Sequence, residues 1–226
     1  MQDIIIAIDG YSGCGKSSTA KAVAKALDYT YLDSGAMYRA ATLYFLKHQV
    51  PLHDEKAVEK ALEAVNITFG RDEESGNNET YLNGENVEEE IRKMEVSANV
   101  SQVSAIPMVR FKMVKQQRAL GAARRVVMDG RDIGSHVFPD AELKIFMTAD
   151  LEVRARRRQY ELRDKGNEVS LQEIKENLAK RDQIDSSRDQ SPLIRVPDAI
   201  EIDTSRLSFQ EQVNKALELA KSKIYQ

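Results

Sequence analysis

Short, mainly apolar runs alternate along this chain with longer stretches in which apolar residues recur every three to four positions. The runs at 4–8, 30–32, 126–128, 143–147 and 199–202 have the length of strands. The stretches 17–27, 36–47, 107–121, 151–165, 170–182 and 208–224 predict amphipathic helices. Two of them open on Ser followed three residues later by Glu, Ser170 with Glu173 and Ser208 with Glu211. That spacing predicts a capping box, in which each residue satisfies a free backbone N–H of the other. Strands apolar on both faces, joined by helical crossovers, predict a parallel sheet covered on both sides.

The rhythm breaks between about Asn66 and Glu90. Ile67-Thr68-Phe69 and Thr80-Tyr81-Leu82 read as strands around a polar turn at Gly76-Asn77-Asn78. Asn83-Gly84 is a hairpin signal, because both residues tolerate the positive φ of a tight turn. Helices over 55–65 and 88–104 flank this small antiparallel insert.

Composition narrows the class. The 226 residues suffice for one α/β domain with a substantial core. A net charge of −3 gives no reason to expect nucleic acid or an anionic membrane as partner. The one cysteine, Cys14, excludes an intramolecular disulfide framework and a cysteine metal cluster. His48, His53 and His136 stand at no ligand spacing. No apolar stretch approaches the ~18 residues of a membrane span, and the first residues lack the pattern of a secretion signal. A cytoplasmic enzyme is expected.

Candidate chemistry begins where the first strand ends. Gly10-Tyr11-Ser12-Gly13-Cys14-Gly15-Lys16-Ser17 is G-x-x-x-x-G-K-S between a strand and a helix, the context in which this pattern cradles phosphate. Glycines let successive N–H groups turn inward around an anion, and the helix N-terminus adds partial positive charge. These eight residues, with Ser18, are the expected ATP-binding loop. Lys16 would reach the β- and γ-phosphates, and Ser17 would offer its hydroxyl to Mg²⁺. Asp129 and Asp33, both at strand ends, are candidates for the ion's shell through water, although aspartate at such a turn is also a common helix cap. No glycine has aspartate three residues before it and no N-K-x-D occurs, so the GTPase motifs are missing.

Arginine placement points to phosphoryl transfer between two phosphates. Such a reaction gathers negative charge, so its catalysis is mostly positioning and neutralisation. Arginine's fork, always charged, suits that task. Arg39, Arg110, Arg131, Arg181 and Arg188 stand at expected strand ends and loops, and acids at Asp132 and Asp185 accompany them. Any one alone would read as a solvated surface charge. Arg154-Ala155-Arg156-Arg157-Arg158 then follows the strand at 143–147. A basic helix for RNA is one reading, opposed by the small footprint, the acidic chain and the lack of interleaved aromatics. The other is a lid that closes over ATP, excludes water and delivers arginines to the moving group. One-turn spacing puts Arg154 on a face with Arg157 and Arg158.

Four segments carry a resemblance. Leu32-Asp33-Ser34-Gly35-Ala36-Met37-Tyr38-Arg39, Asp129-Gly130-Arg131-Asp132-Ile133-Gly134, Val137-Phe138-Pro139-Asp140-Ala141 and Arg181-Asp182-x-x-Asp185-x-x-Arg188 resemble the bacterial cytidylate (CMP/dCMP) kinase family. The likeness runs from the first strand to the last helix. Tyr11, where many relatives have proline, and Ser17-Ser18, where glycine-threonine is frequent, depart from it while keeping the backbone cradle and a hydroxyl. The resemblance implies that the insert enlarges the monophosphate-binding part. It implies that Ser34, Ser101, Arg110 and Asp132 surround the cytosine, Arg39 and Arg131 hold the monophosphate, and Arg181, Asp185 and Arg188 bind ribose and phosphate. An Asp acceptor with Ser and Arg donors complements the amino group and two acceptors of cytosine, whereas uracil would set a carbonyl against Asp132. Lys16, Arg131, Arg157, Arg158 and Arg188 are the expected catalytic cations. Ser101 taken alone would be a helix-surface hydroxyl, and Tyr38 is expected to pack, with nucleotide contact as a second role.

The expected architecture is α/β, a three-layer P-loop NTPase fold with a five-stranded parallel sheet over a single domain, 1–226. Its core takes 1–64, 104–150 and 170–226, the monophosphate-binding insert 65–103, and a short helical lid 151–169. The expected reaction is ATP with CMP or dCMP giving ADP and CDP or dCDP, by direct in-line transfer with Mg²⁺, on a monomer of pyrimidine nucleotide metabolism. Neither nucleic acid nor membrane is an expected partner. Two rivals stay open: the same fold acting on another small acceptor such as UMP or AMP, and a nucleotide-dependent RNA-binding regulatory module.

Overall fold

The computed structural model describes residues 2–71, 78–164 and 166–225. Strand β1 (Ile5–Gly10) is the middle of a five-stranded sheet, flanked by β6 (Val126–Gly130) and β7 (Leu143–Thr148). β2 (Thr30–Asp33) and β8 (Ile200–Asp203) are its edges, and every pair is parallel. All six residues of β1 are buried, as a strand covered on both faces requires. Register puts Ile6 beside Val127 and Leu143, and Ile8 beside Asp129 and Ile145. That face packs on α1 (Lys16–Leu27) and α8 (Phe209–Ile224) through Ala20, Val23, Val213 and Ala216. Alternation along the strand turns Asp9 to the opposite face. There it meets a short π-helical turn, Ile133–Val137, which no pattern in the sequence predicts.

The chain divides into two compact units, Met1–Asp33 with Gln117–Gln226, and Ser34–Gln116. The smaller holds α2 (Ser34–Lys47), α3 (Glu55–Ala64), α4 (Met94–Ala105) and most of α5 (Pro107–Leu120). It also holds an antiparallel sheet of β3 (Ile67–Arg71), β4 (Asn78–Leu82) and β5 (Glu85–Asn86). One cluster joins them through Met37, Phe45, Val58, Ile67, Val100 and Met113. This unit is wider than the expected 65–103 insert. A small hairpin sheet cannot bury its apolar face alone, and α2 and α3 complete its core.

Asn83 and Gly84 have φ of 53° and 87° and make the expected turn between β4 and β5. Gly76 and Asn77, the centre of the other expected turn, lie outside the described residues, as does Lys165. The expected helix over 88–104 is corrected: a 3-10 turn, Glu90–Arg92, and α4 are separated by Lys93, extended at φ −63° and ψ 154°. Glu88 leaves the helical path because its carboxylate accepts the N–H and hydroxyl of Thr80, at 3.2 and 2.8 Å, and pairs with Arg92. α6 (Leu151–Asp164) precedes α7 (Leu171–Ser187), which runs more than a turn beyond the expected end at 182. Its last buried position is Asp185, a charge held by arginines, so the apolar period fades before the helix does. Ser170 accepts the Glu173 N–H at 3.1 Å, and the reciprocal capping box is complete at Ser208 and Glu211. Among the described residues no helix is long and apolar enough to cross a membrane.

Candidate active site

β1 ends at Gly10, where φ is 146° and a Cβ would lie 1.9 Å from the carbonyl oxygen of Met147. Only glycine fits, and the chain can turn into the loop directly off the central strand. Gly15, at φ 94°, is the left-handed N-cap of α1 and brings no side chain to the helix's first N–H groups. Those groups carry the positive end of the helix dipole. Lys16 is buried, and its Nζ donates to the Tyr11 carbonyl at 2.6 Å and lies 3.7 Å from Cys14 Sγ. Burial lowers its pKa, with Arg131 and Arg181 pushing the same way against Cys14 and Asp129. A bound phosphate would relieve that crowding of positive charge.

Ser17 Oγ donates to Asp129 Oδ2 at 2.8 Å, and Tyr31 Oη donates to Oδ1 at 2.8 Å. Burial pushes the Asp129 carboxyl up to about 6, and Asp33 adds to that. A hydroxyl beside two crowded carboxylates is a hard-oxygen set with surplus negative charge, which fits Mg²⁺ together with waters and phosphate oxygens. Tyr31 was invisible as a site residue in the sequence, since a strand tyrosine ordinarily only packs.

A second group of charges belongs to the same unit. Arg131 Nε donates to Asp185 Oδ2 at 2.8 Å, while Arg188 lies 3.9 Å from Asp185 Oδ1 and 3.6 Å from Asp132 Oδ1. Arg188 Nε also donates to the Ser191 carbonyl at 2.9 Å. Burial works against the charge on Asp185, yet Arg131, Arg181 and Arg188 hold its pKa below the ordinary value. The family resemblance implied that Arg131, Asp132, Arg181, Asp185 and Arg188 meet one ligand, and the fold brings these residues together by ion pairs and mutual fields.

In the smaller unit Ser34 opens α2, Arg39 follows in its second turn, Ser101 is on α4 and Arg110 on α5. Arg110 is buried, stacks over the Tyr38 ring at 5.4 Å and donates to the Ser104 carbonyl at 3.2 Å. Ser104 Oγ in turn donates to the Ser101 carbonyl at 3.1 Å. Tyr38 therefore orients a guanidinium as well as packing.

The arginines of the 154–158 run have different partners. Arg154 donates to the carbonyls of Ser12 and Ala149 at 3.1 and 2.9 Å, pairs with Asp182 at 2.6 Å, and lies over the Tyr11 ring at 5.2 Å. Tyr11 also meets Phe146 edge to face, with centroids 5.9 Å apart. Arg157 instead donates to Thr204 Oγ1 and O at 3.0 and 2.7 Å. Arg156 pairs with Glu152 and Arg158 with Glu161. Arg154, Arg157 and Arg158 share one side of α6, as their one-turn spacing implies, but residues remote in sequence, Asp182 and Thr204, take the first two as separate partners.

Asp9, which no motif marks, accepts the N–H groups of Ile133 and Gly134 with its carboxylate. Its signal was there, a lone acid on a strand otherwise buried on both faces.

A family model described as cytidylate kinase matches residues 6–222. The cytidylate kinase of Cytophaga hutchinsonii is 53% identical over 224 residues, 99% of this chain and 96% of that protein. That of Bacteroides fragilis is 51% identical over 216 residues, 94% of each chain. A solved structure of an uncharacterized protein from Eubacterium ventriosum is alike in fold alone, at 12% identity and a TM-score of 0.50 over 100% of both chains. Half the residues shared along nearly the whole length, loop, insert and final helix included, leave one assignment: the chain belongs to the cytidylate kinase family.

Proposed function

We propose that this enzyme transfers the γ-phosphoryl group of ATP to CMP and dCMP, giving ADP with CDP or dCDP. The observation that carries the reading lies in the larger unit. The glycine loop with Lys16 shares an electrostatic neighbourhood with Arg131 and Arg181, which are tied through Asp185 to Arg188 and Asp132. Cations that share one neighbourhood are suited to meeting phosphates from two nucleotides.

The attacking group is a phosphate oxygen already anionic at neutral pH, so no general base is needed and direct in-line transfer suffices. Gly10, Tyr11, Ser12, Gly13, Cys14, Gly15, Lys16, Ser17 and Ser18 hold ATP, and Lys16 exchanges the Tyr11 carbonyl for phosphate oxygen. Arg131, Arg188, Arg157 and Arg158 neutralise the moving charge. Ser34, Ser101, Arg110 and Asp132 read cytosine, Arg39 and Arg131 hold its phosphate, and Arg181 and Asp185 complete the ribose and phosphate contacts. Mg²⁺ would be held near Ser17, with Asp129 and Asp33 through water, and supplies charge neutralisation at the β- and γ-phosphates. Residues 151–169 form the lid and 65–103 the heart of the monophosphate-binding part. The protein works as a cytoplasmic monomer.

The short arginine run on a chain of net charge −3 offers RNA a small footprint, which favours the enzyme over an RNA-binding module. An assay of ADP release with CMP, dCMP, UMP and AMP tests the reading. Turnover is expected with CMP and dCMP. Preference for UMP or AMP would move the acceptor, and RNA binding without turnover would replace the enzyme by the module.

A further inference from the structure

Asp9 is buried on the face of the sheet opposite α1, beside Gly130 and Phe146 in the register of the three central strands. Its Oδ1 accepts the N–H of Ile133 at 2.8 Å and its Oδ2 that of Gly134 at 2.7 Å. A carboxylate gripping two successive N–H groups fixes the orientation of both peptides. These peptides come directly after Asp132, whose carbonyl accepts the N–H groups of His136 and Val137 at 2.9 and 3.1 Å. Asp132 itself sits at φ −144° and ψ 26°, outside the regular helix and strand wells. Such a conformation persists only where its surroundings over-determine it, and Asp9 is the side chain that grips the two peptides on its C-terminal side.

The fit around the grip is tight. A Cβ on Gly134 would lie 3.4 Å from Asp9 Oδ2 and 3.1 Å from Lys144 Cγ. Burying a carboxylate is also costly: burial drives the Asp9 pKa up to about 7 although both N–H groups pull it down. The next residue, Gly10, ends the strand and opens the phosphate loop, so one element carries the loop and the grip.

We propose that Asp9 is the positioning residue for base selection: by holding the N–H groups of Ile133 and Gly134 it fixes the direction in which Asp132 presents its carboxylate to the cytosine amino group. This rests on the reading of Asp132 as the base acceptor. Asp9→Asn keeps the size of the side chain but turns one acceptor into an NH₂ group facing an N–H donor, so the segment after Asp132 must shift.

The test measures kcat/KM for CMP and UMP, and KM for ATP, in the wild type, Asp9→Asn, Gly134→Ala and Asp132→Asn. In Asp9→Asn the preference for CMP over UMP is expected to fall at least roughly tenfold, through KM for CMP, while KM for ATP stays within about twofold. Gly134→Ala, whose methyl presses on Lys144 and comes into contact with Asp9, should move the preference the same way by less, and it decides the matter if Asp9→Asn does not fold. Equal losses with CMP and UMP, or a change confined to ATP, overturn the proposal. If Asp132→Asn abolishes the preference while the Asp9 and Gly134 variants keep it, only the positioning role falls. If Asp132→Asn keeps the preference, the base-reading role falls and the proposal falls with it.

Discussion

Buried Arg154 and half-buried Asp182 form an ion pair, N to O at 2.6 Å, that joins the start of α6 to α7 while the same guanidinium holds the Ser12 carbonyl of the phosphate loop. The first arginine of a basic run thus serves as a tie between three segments. Removing it would leave Asp182 charged, half-buried and without that partner. Arg154→Ala should therefore cost about 2 kcal/mol in urea unfolding, more than breaking an exposed pair and less than breaking a fully buried one. Arg156→Ala, whose pair with Glu152 is exposed, should be close to neutral. Similar effects of both changes would show that the tie carries no more than a surface contact.

Lys16→Ala should lower kcat by at least about a hundredfold, the scale of losing one preorganised charge at the transition state. Burial already disfavours the lysine's charge, so its folding stability should change little or rise. Normal turnover by a correctly folded variant would remove the loop from catalysis.

Gly10 and Gly84 both have positive φ, but a Cβ at Gly10 meets the Met147 carbonyl at 1.9 Å while one at Gly84 meets nothing within 4 Å. Gly10→Ala should lose more than about 3 kcal/mol or fail to accumulate as soluble protein, and Gly84→Ala should lose roughly 1–2 kcal/mol from backbone strain alone. Thermal melts of the two variants compare them directly, and equal losses would refute the close approach of β1 to β7.

Asp9 gives stability a pH dependence with a definite sign. Burial raises its pKa from 3.8 to about 7; Gly134 and Ile133 oppose this through their N–H groups, Asp132 adds to it and Lys16 opposes it. Between about pH 4 and pH 7 the folded protein keeps a proton that the unfolded chain has released. Stability therefore falls as pH rises through that window, by at most about 1.4 kcal/mol per unit from this group, and levels off above it. Asp9→Asn removes that slope, so its deficit against the wild type should be larger at pH 5 than at pH 7.5. Parallel stability curves from denaturant titrations would rule this out.

Closing a basic segment over bound phosphates should order it, because the added charge pairing exists only with ligand present. Hydrogen exchange across residues 151–167 should slow most with ADP and CMP together and less with either alone. Arg157→Ala and Arg158→Ala should each lower kcat more than they weaken nucleotide binding. Arg157 already holds Thr204 at the end of β8, so its variant should also loosen that contact. Exchange unaffected by ligands, with normal kcat in both variants, would reduce α6 to a solvated basic helix.

What the sequence determined by itself is what short-range physics controls. Ile4 to Ile8 reads as a buried strand because every side chain is apolar, and Asn83-Gly84 reads as a turn because both residues accept positive φ. The glycine loop, Lys16 and Ser17 were legible since strand, loop and helix are contiguous, and the Ser208 cap needs only Glu211 three residues on. The grouping of Arg131, Asp132, Arg181, Asp185 and Arg188 was legible only as a family likeness, not from spacing.

Tertiary structure alone decided what depends on partners far along the chain. Asp9 finds its N–H donors 124 and 125 residues away, Tyr31 finds Asp129 at a separation of 98, and Arg154 finds Asp182 at 28. Glu88 breaks a helix that local propensity favours because Thr80, across a strand connection, offers better hydrogen bonds. A side chain's periodicity says which face it occupies, but its partner is chosen by the strand order β2-β6-β1-β7-β8 and by the packing that brings remote segments to one strand end. Burial then makes those pairings compulsory, since a polar group withdrawn from water must be matched by another.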